Sequence, residues 1–274
     1  MTVSQFDKAQ QLSQLHSEPG AFVVPNPWDG ASARLLASLG FRALTTSSGA
    51  TAATLGRRDG RVSRDEVLVH CHNIVAATDL PVAADLEKGF GDAPEHVAET
   101  IRMAAGVGLV GGSIEDASGN PRQPIYDFEH AVERVAAAAQ AAKSLSFPFT
   151  LTARTENFLR GNPNLDDTIK RLQAYERAGA DVLFAPGLPD LSAVQAVCAA
   201  VSKPVNFMVG IKGKSFSVKQ LEAAGVKRIS LATSLYRTAM SALLSAACEV
   251  KEHGTFEFLD RTMTSSELHK SLSD

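Results

Sequence analysis

The sequence predicts an α/β protein built as a (β/α)₈ TIM barrel, and three observations favour that fold class. Eight short apolar runs alternate along the chain with stretches of helical period. The runs are nearly continuous in Val, Ile, Leu and Ala, which is typical of parallel strands buried on both faces. Eight such strands within 274 residues are the number that closes a barrel of this kind. A doubly wound open sheet is the alternative.

The expected strands follow one another at the spacing that strand–helix units need. They span residues 21–27, 43–48, 81–87, 109–116, 149–155, 181–187, 204–210 and 227–233. Helical patterns lie between them, for example SRDEVLVHCHNIVAATD, DFEHAVERVAAAAQAAKSL and LDDTIKRLQAYERAGA. Three helices end in a glycine just before the next strand, in LASLGFRAL, ERAGADVL and EAAGVKRI. Glycine there supplies the left-handed cap that lets the chain turn sharply into a strand.

The two ends of the chain lie outside the expected barrel. No segment rich in Pro, Gly or Ser divides the sequence, so we expect one domain over residues 1–274. Residues 1–20 contain an N-terminal helix, over about 3–16, and residues 234–274 form a C-terminal helical segment. Its last part, TFEFLDRTMTSSELHKSLSD at 255–274, has apolar residues but no place in the barrel. We therefore expect this segment to pack on a neighbouring subunit.

Composition excludes several classes of function. The chain is 45% hydrophobic and 21% charged, with a net charge of −3 and no block of like charges. Nucleic acid and membrane surfaces are therefore not expected partners. No apolar run approaches the roughly 20 residues that span a bilayer, and the polar start does not resemble a secretion signal. The three cysteines lack paired metal spacing, which indicates reduced thiols and a cytoplasmic location.

Acidic residues collect where two neighbouring strands are expected to end, which is where barrels of this class build their sites. Asp85 and Glu87 stand two positions apart, so strand alternation places both on the inward face, and Glu115 can join them. Three carboxylates in a small mouth would raise one another's pKa. Mg²⁺, which prefers oxygen ligands and keeps several waters, would remove that repulsion. Alternatively, the acids form structural bridges with Lys88, Arg154 or helix N-termini.

Four ordered motifs resemble those of a known enzyme superfamily. DLEKGFG resembles the D-x-[DE]-x-G-[YF]-G signature of the isocitrate lyase/phosphoenolpyruvate mutase superfamily. GGSIED resembles the G-x-x-I-E-D strand of that superfamily, and LTART its A-R-T element on strand five. NPWDGASARLLASLGFRALTTSSGA resembles its opening. The resemblance runs from about residue 20 to about residue 250, and by it the chain is identified as a member of the phosphoenolpyruvate mutase-like branch.

This resemblance implies an α/β barrel, Mg²⁺ (or Mn²⁺ in its place), and reactions that pass through a metal-stabilised enolate of a 2-oxo acid. It implies that the metal is held, largely through water, by Asp85, Glu87 and Glu115. It also implies a homo-oligomer, a dimer or tetramer, in which the last helix is exchanged between subunits.

The same resemblance assigns the substrate-binding residues. The backbone N–H groups around Ser48, Gly49 and Ala50 would receive the substrate carboxylate, with Trp28 and Asp29 beside it. Arg154 would contact the carboxylate or the departing group, and Asp59 would lie on a loop near the metal. The residues themselves leave open that Arg154 only neutralises buried acids, and that Ser48 and Gly49 only end a strand.

The sequence departs from its relatives at the positions that decide which bond breaks. The loop ASGNPRQPIYD at 117–127 lacks the Lys-[Lys/Arg]-Cys-Gly-His motif of isocitrate and methylisocitrate lyases. It also lacks the lysine of the mutases, so Asn120 and Arg122 are its only catalytic candidates. On strand six, Pro186 stands where lyases have a glutamate and mutases a histidine. We therefore expect a small, less polar pocket with little to bind a second carboxylate or phosphoryl group.

Three functions remain open at this point. The favoured one is C–C cleavage of a small 2-oxo acid, as in oxaloacetate decarboxylation or a related retro-aldol reaction. The second is cleavage or rearrangement of a P–C bond in a phosphonate, as in a phosphonomutase or a phosphonopyruvate hydrolase. The third is a non-catalytic protein that binds 2-oxo acids.

Overall fold

Eight parallel strands curve into a nearly closed barrel in the computed structural model, which describes residues 3–272. These strands are β1 (Phe22–Val24), β2 (Leu44–Thr45), β3 (Val82–Asp85), β4 (Gly111–Glu115), β7 (Thr150–Arg154), β8 (Val182–Phe184), β9 (Val205–Met208) and β10 (Arg228–Ser230). Their order in the sheet is β1-β10-β9-β8-β7-β4-β3-β2. A separate antiparallel hairpin consists of β5 (Ala117–Asn120) and β6 (Gln123–Ile125). The predicted (β/α)₈ class is confirmed.

The seam between β1 and β2 is closed partly by a side chain. The backbone N–H of Thr45 donates to the carbonyl of Pro25 over 3.1 Å. Proline has no backbone N–H of its own, so the ladder cannot continue in the usual way. The buried amide of Asn26 compensates, because its Nδ2 donates to the Thr46 carbonyl at 2.9 Å. Its Oδ1 accepts from the Leu231 N–H at 2.8 Å, which ties the seam to the end of β10.

Helices separate the strands and cover the barrel from outside. They are α1 (Gln5–Ser17), α2 (Gly30–Ser38), α3 (Ser48–Thr54), α4 (Arg64–Ala76), α5 (Pro94–Gly106), α6 (Phe128–Lys143), α7 (Leu165–Ala178), α8 (Leu191–Ala200), α9 (Val218–Ala223), α10 (Ser234–His253) and α11 (Ser265–Leu272). A short 3₁₀ helix, Glu257–Arg261, lies between the last two. Helix α1 begins with a reciprocal capping box between Ser4 and Asp7. Its Leu12 and Leu15 are buried against the strands.

The strands are shorter than the apolar runs that predict them. Strand β3 ends at Asp85 rather than at residue 87, and the loop at 117–127 contains the β5–β6 hairpin, which the sequence pattern does not predict. Leu86 nevertheless packs with the helix-facing core beside Val82 and Ala84, as strand alternation predicts. Among residues 3–272, no helix combines the length and apolar character that crossing a bilayer requires. Cys71, Cys198 and Cys248 are free thiols.

The C-terminal elements differ from the rest because they bury little of their apolar surface. No residue of α10 is buried within this chain. Its Leu243 and Leu244 are 61% and 65% exposed, and Phe256 beyond it is 60% exposed. Helix α11 lies against α2, where Nη1 of Arg34 donates to the Leu272 carbonyl at 2.7 Å.

Candidate active site

The DLEKGFG segment leaves the strand sooner than alternation predicts. Glu87 has φ 50° and Phe90 has φ 59°, both in the left-handed region that side-chain-bearing residues rarely adopt. The expectation that Glu87 continues the inward face of β3 is therefore wrong in its backbone reasoning. The turn still keeps Glu87 beside Asp85, because the Glu87 backbone N–H donates to Oδ1 of Asp85 at 3.2 Å. Left-handed backbone costs about 1–2 kcal/mol per residue, so other contacts must hold this turn in place.

A buried arginine on α6 supplies those contacts. Arg134 is 1% exposed, and its guanidinium donates to the carbonyls of Lys88, Gly91 and Asp92. Gly89 has φ 82°, and a side chain there would lie 3.1 Å from a methyl group of Val97. The turn is thus fastened between α5 and α6. This role of Arg134 is not predictable from the sequence, where the residue stands in an ordinary helical pattern.

Acidic and basic side chains alternate across the mouth of the barrel. The Ser48 backbone N–H donates to Oδ2 of Asp85 at 3.3 Å. Nη1 of Arg154, at the end of β7, lies 3.7 Å from that oxygen and 3.4 Å from Oε2 of Glu115. Nε of Arg154 donates to Oε1 of the buried Glu156 at 2.6 Å, which fixes the guanidinium between the two acids. The predicted acids and arginine therefore meet in one place.

A second arginine extends this arrangement, and the sequence reasoning missed it. Arg160 lies on the loop after β7, and its Nη2 is 3.6 Å from Oε1 of Glu115. Its Nε donates to Oε2 of Glu156 at 3.0 Å, and its side chain is 45% exposed. The i,i+4 spacing from Glu156 was the available signal, since that spacing brings two side chains together on a helical turn. We call Ser48, Asp85, Arg154, Glu115 and Arg160 the mouth row.

Burial and repulsion shift the titration of the mouth acids. Burial, opposed by Arg154 and reinforced by Glu156 and Asp85, raises the pKa of Glu115 to about 8. Burial together with Asp85 and Asp59 raises the pKa of Glu87 to about 7. Burial alone would lower the pKa of Arg154, but Glu115, Glu156 and Asp85 raise it above its ordinary value. Burial is the largest cause at both acids, so a bound cation would offset the cost of keeping them charged.

The residues at the mouth suit a hard divalent cation held through water. Asp85, Glu87 and Glu115 offer only carboxylate oxygens, the ligand type that Mg²⁺ prefers. Within residues 3–272, no three Asp, Glu, His or Cys side chains stand close enough to form a ready-made metal cage. Mg²⁺ keeps several of its waters in proteins, so direct contact with all three acids is not needed. The donor chemistry fits, and the assignment of these three ligands stays a prediction.

Two of the three backbone amides at the start of α3 that are predicted to bind the substrate carboxylate donate hydrogen bonds within the protein. The Ser48 N–H donates to Asp85, and the Ala50 N–H donates to Oγ of Ser47 at 3.5 Å. Of the three predicted amides, only that of Gly49 makes no hydrogen bond within the described part of the chain. Gly49 also lies beside Asp59, since a side chain on it would come 3.5 Å from Oδ2 of Asp59.

Trp28 and Asp29 hold the loop after β1 in place. The Asp29 carboxylate accepts from the Ser32 N–H at 2.7 Å and caps α2. The Trp28 carbonyl accepts from the His70 ring at 2.8 Å, and its indole packs edge-on against Tyr236 at 5.6 Å. These contacts give both residues a structural role, and their predicted place beside the substrate stays a prediction.

The β5–β6 hairpin carries the two predicted catalytic candidates, Asn120 and Arg122, on its exposed tip. Oδ1 of Asn120 accepts from the Arg122 N–H at 3.0 Å, which shapes the tip. A lysine does reach this hairpin, although from the preceding turn: Nζ of Lys88 donates to the Ser118 carbonyl at 2.9 Å. It also pairs with Asp92 at 2.7 Å.

A cavity of about 50 Å³ lies beneath the mouth row, inside the barrel. It is lined by Asp85 and Arg154 above and by Asn206 and Arg228, among others, below. A space of this size holds a few waters but no four-carbon acid. A substrate must therefore sit above the mouth row, between the strand ends and the loops.

Comparisons with known proteins agree with this geometry. The family model described as phosphoenolpyruvate phosphomutase matches residues 12–251. A 2-methylisocitrate lyase of Vibrio cholerae is 30% identical over 264 residues, covering 90% of this chain and 83% of the relative. A solved Burkholderia cenocepacia J2315 protein, described in general terms as a lyase or mutase, is 52% identical, with coverage of 97% and 96% and a TM-score of 0.95.

A further solved structure shares the fold and was determined with a small acid bound. It is an oxaloacetate acetylhydrolase in complex with its product oxalate, 25% identical, with coverage of 97% and 94% and a TM-score of 0.88. The family model spans most of the sequence, and the relatives are lyases and hydrolases or mutases of one superfamily. The chain is therefore an enzyme that belongs to the phosphoenolpyruvate phosphomutase family, within the isocitrate lyase/phosphoenolpyruvate mutase superfamily.

Proposed function

We propose that this enzyme cleaves a C–C bond of a small 2-oxo acid in a Mg²⁺-dependent reaction, with oxaloacetate as the first substrate to test. The observation that carries the proposal is the mouth row, in which Arg154 lies 3.4–3.7 Å from two partly buried acids. Cleavage next to a carbonyl leaves negative charge on its oxygen, and Arg154 together with a cation bound by the acids would stabilise that charge. The oxaloacetate acetylhydrolase with bound oxalate supports the same class of ligand.

Asp85, Glu87 and Glu115 would hold the cation. A bound Mg²⁺ supplies Lewis-acid stabilisation of negative charge on a substrate oxygen. Arg154 is kept in place by Glu156 through Nε, so its Nη groups are left to orient the acid end of the substrate. The N–H of Gly49, which makes no hydrogen bond within the described residues, would donate to one carboxylate oxygen beside it.

The composition of the β5–β6 hairpin argues against a lyase mechanism that needs a catalytic acid on this hairpin. Residues 117–127 contain neither Cys nor His, so the proton that reaches C3 after cleavage would come from solvent. Oxaloacetate decarboxylation or a retro-aldol reaction meets that condition, because neither needs an acid on this hairpin.

A substrate panel tests the proposal. The protein is incubated with Mg²⁺ and each of a set of 2-oxo acids, 2-hydroxy diacids and phosphonates, and the products are identified by ¹H, ¹³C and ³¹P NMR. We expect turnover of oxaloacetate or a related diacid that stops when EDTA is added. Turnover that continues in EDTA contradicts the metal requirement. Binding without turnover of any member would support a non-catalytic binding protein instead.

Phosphonate chemistry is the second candidate, and the match to the phosphoenolpyruvate phosphomutase model supports it. The two functions separate cleanly in the same panel. Conversion of phosphonopyruvate to phosphoenolpyruvate, or to pyruvate and phosphate, would establish P–C bond chemistry if oxaloacetate stays intact. We place it second because the hairpin lacks the lysine expected of that branch.

The exposed apolar face of α10 supports a homo-oligomer with an exchanged C-terminal helix. Exposed apolar patches of this kind are typical of protein interfaces. We expect light scattering to give a dimer or tetramer, and Leu243→Ser combined with Leu244→Ser to shift it towards monomer. Glu252→Gln on the same helix is the control that should leave the mass unchanged. A monomeric wild-type protein would contradict the exchange. We also propose that the enzyme acts in the cytoplasm, where its three free thiols stay reduced.

A further inference from the structure

We propose that Arg160 binds a second acid group of the substrate, so that this enzyme selects dicarboxylates over monocarboxylates of the same length. The inference rests on the proposed function, because it assumes that the first acid group and the carbonyl lie at the other end of the mouth row. It differs from the sequence-based expectation of a pocket with little to bind a second carboxylate. That expectation considered the residues at strand ends, where Pro186 stands, and not the loop after β7.

The position of Arg160 is the first argument. The mouth row runs from the Ser48 N–H through Asp85, Arg154 and Glu115, and Arg160 is its last member. A substrate whose first carboxylate lies by Ser48 and Gly49 therefore extends along the row towards Arg160. Glu115 separates the two arginines, with one carboxylate oxygen facing each of them.

The second argument is that the guanidinium of Arg160 is more exposed than that of Arg154 and contacts fewer acids. Arg154 is 12% exposed and contacts three acids, Asp85, Glu115 and Glu156. The side chain of Arg160 is 45% exposed, and of its guanidinium nitrogens only Nε donates a hydrogen bond within 3.5 Å in the described part of the chain. Its distance of 3.6 Å to Glu115 is too long for a hydrogen bond. The two Nη groups can therefore turn to a ligand without breaking a short contact.

The surroundings of Arg160 strengthen such a contact. Its neighbour Leu159 packs against Gly187 so closely that a side chain at 187 would come 2.8 Å from Cδ2 of Leu159. This brings the loop against the apolar turn after β8, which contains the buried Pro186. A guanidinium binds a carboxylate through two parallel hydrogen bonds, and these gain strength where water is partly excluded. The acid that Arg160 recognises is therefore expected to be planar and terminal, as in a four-carbon dicarboxylate.

A matched pair of unreactive ligands tests this selectivity. 3,3-Difluorooxaloacetate and 3,3-difluoro-2-oxobutyrate have the same number of carbons and differ at the terminal carboxylate. We expect the Mg²⁺-loaded protein to bind the diacid about tenfold to a hundredfold more tightly, as is typical of a charge-assisted hydrogen-bonded pair. Titration calorimetry, with oxalate as a reference ligand too short to reach Arg160, measures all three affinities.

Three variants complete the experiment. Arg160→Gln should bring the two affinities within about threefold of each other and leave oxalate binding within about twofold of wild type. Arg160→Lys should keep part of the preference, because the charge remains while the planar fork is lost. Arg102→Gln removes an exposed arginine from α5 and should change none of the affinities. Urea unfolding of each variant verifies that it is folded.

The outcomes separate the inference from the proposed function. Normal oxalate binding with equal affinities in the wild type, or an unchanged preference in Arg160→Gln, overturns the role of Arg160 alone. Failure of the wild type to bind oxalate with Mg²⁺ overturns the proposed site and this inference with it. Lys214, whose Nζ donates to the Gly187 carbonyl at 3.2 Å, is the other cation on this side. A preference lost in Lys214→Gln but kept in Arg160→Gln would assign the second acid group to Lys214 instead.

Discussion

Two acids that are neighbours in the chain, Glu115 and Asp116, have opposite surroundings. The buried carboxylate of Asp116 accepts four hydrogen bonds, from the Glu156 N–H at 2.7 Å, the Tyr175 hydroxyl at 2.7 Å, the Thr155 hydroxyl at 3.0 Å and Nη1 of Arg171 at 3.2 Å. The carboxylate of Glu115 accepts no hydrogen bond in the described part of the chain, and its two arginine contacts are 3.4 Å and 3.6 Å long.

This difference separates an acid that stabilises the fold from an acid that is available to bind a ligand. A buried acid whose oxygens are satisfied stabilises the fold, and Asp116 joins β4 to the loop after β7 and to α7. Burial raises the pKa of both acids, but hydrogen bonds oppose the rise at Asp116, whereas only the charges of Arg154 and Arg160 oppose it at Glu115. An acid like Glu115 is retained where a ligand completes it. Alternation in the strand explains the split, because consecutive side chains face opposite sides.

The largest expected effect is at Asp85, which like Glu115 is one of the three predicted metal ligands. Asp85→Ala should reduce turnover about a thousandfold or more and abolish Mg²⁺-dependent oxalate binding, because a Lewis acid contributes several kcal/mol. Steady-state kinetics and calorimetry measure the two effects. Asp79→Ala, which removes only a 3.9 Å surface pair with Lys8, is the control. Oxalate that still binds with metal in Asp85→Ala would show that the ligand assignment is wrong.

The next effect is on stability and distinguishes the two neighbours directly. Asp116→Ala should lower the free energy of unfolding by about 3–5 kcal/mol, because Arg171 and Tyr175 lose a buried partner. Glu115→Gln should not destabilise the metal-free protein, since no hydrogen bond within the described residues depends on its charge. Urea unfolding in EDTA measures both. Equal losses in the two variants would mean that Glu115 is also part of the scaffold.

The fold could be predicted because its signals are periodic. Eight apolar runs with helices between them favour a barrel over an open sheet, and the side of each strand residue follows from alternation. The runs do not reveal where a strand stops, because ending β3 at Asp85 depends on tertiary contacts of the next turn. Arg134 on α6, far along the chain, holds that turn in its left-handed conformation.

The site could be predicted only where it coincides with strand ends. The last residues of β3, β4 and β7 are Asp85, Glu115 and Arg154. The barrel fold alone therefore predicts that these three side chains lie close together. Arg160 lies on a loop, and its approach to Glu115 depends on Glu156 being fixed by the Asp116 network. Neither secondary-structure propensity nor hydrophobic period predicts the contact of Arg160 with Glu115 or that of Glu156 with Asp116.

The smallest expected effect is the pH dependence that the unsatisfied acid causes. The pKa of Glu115 is about 8 in the folded protein against an ordinary value of 4.5, so the folded state holds the proton more tightly than the unfolded state between these values. Stability of the metal-free protein should therefore fall as pH rises through that window. Glu115→Gln removes this proton linkage, so its stability curve should be flatter and should lie above the wild-type curve near pH 8. Urea unfolding in EDTA at a series of pH values gives both curves, and Glu222→Gln, an exposed change on α9, should follow the wild type. Parallel curves for wild type and Glu115→Gln would mean that Arg154 and Arg160 already satisfy Glu115, and the contrast with Asp116 would then be one of distance alone.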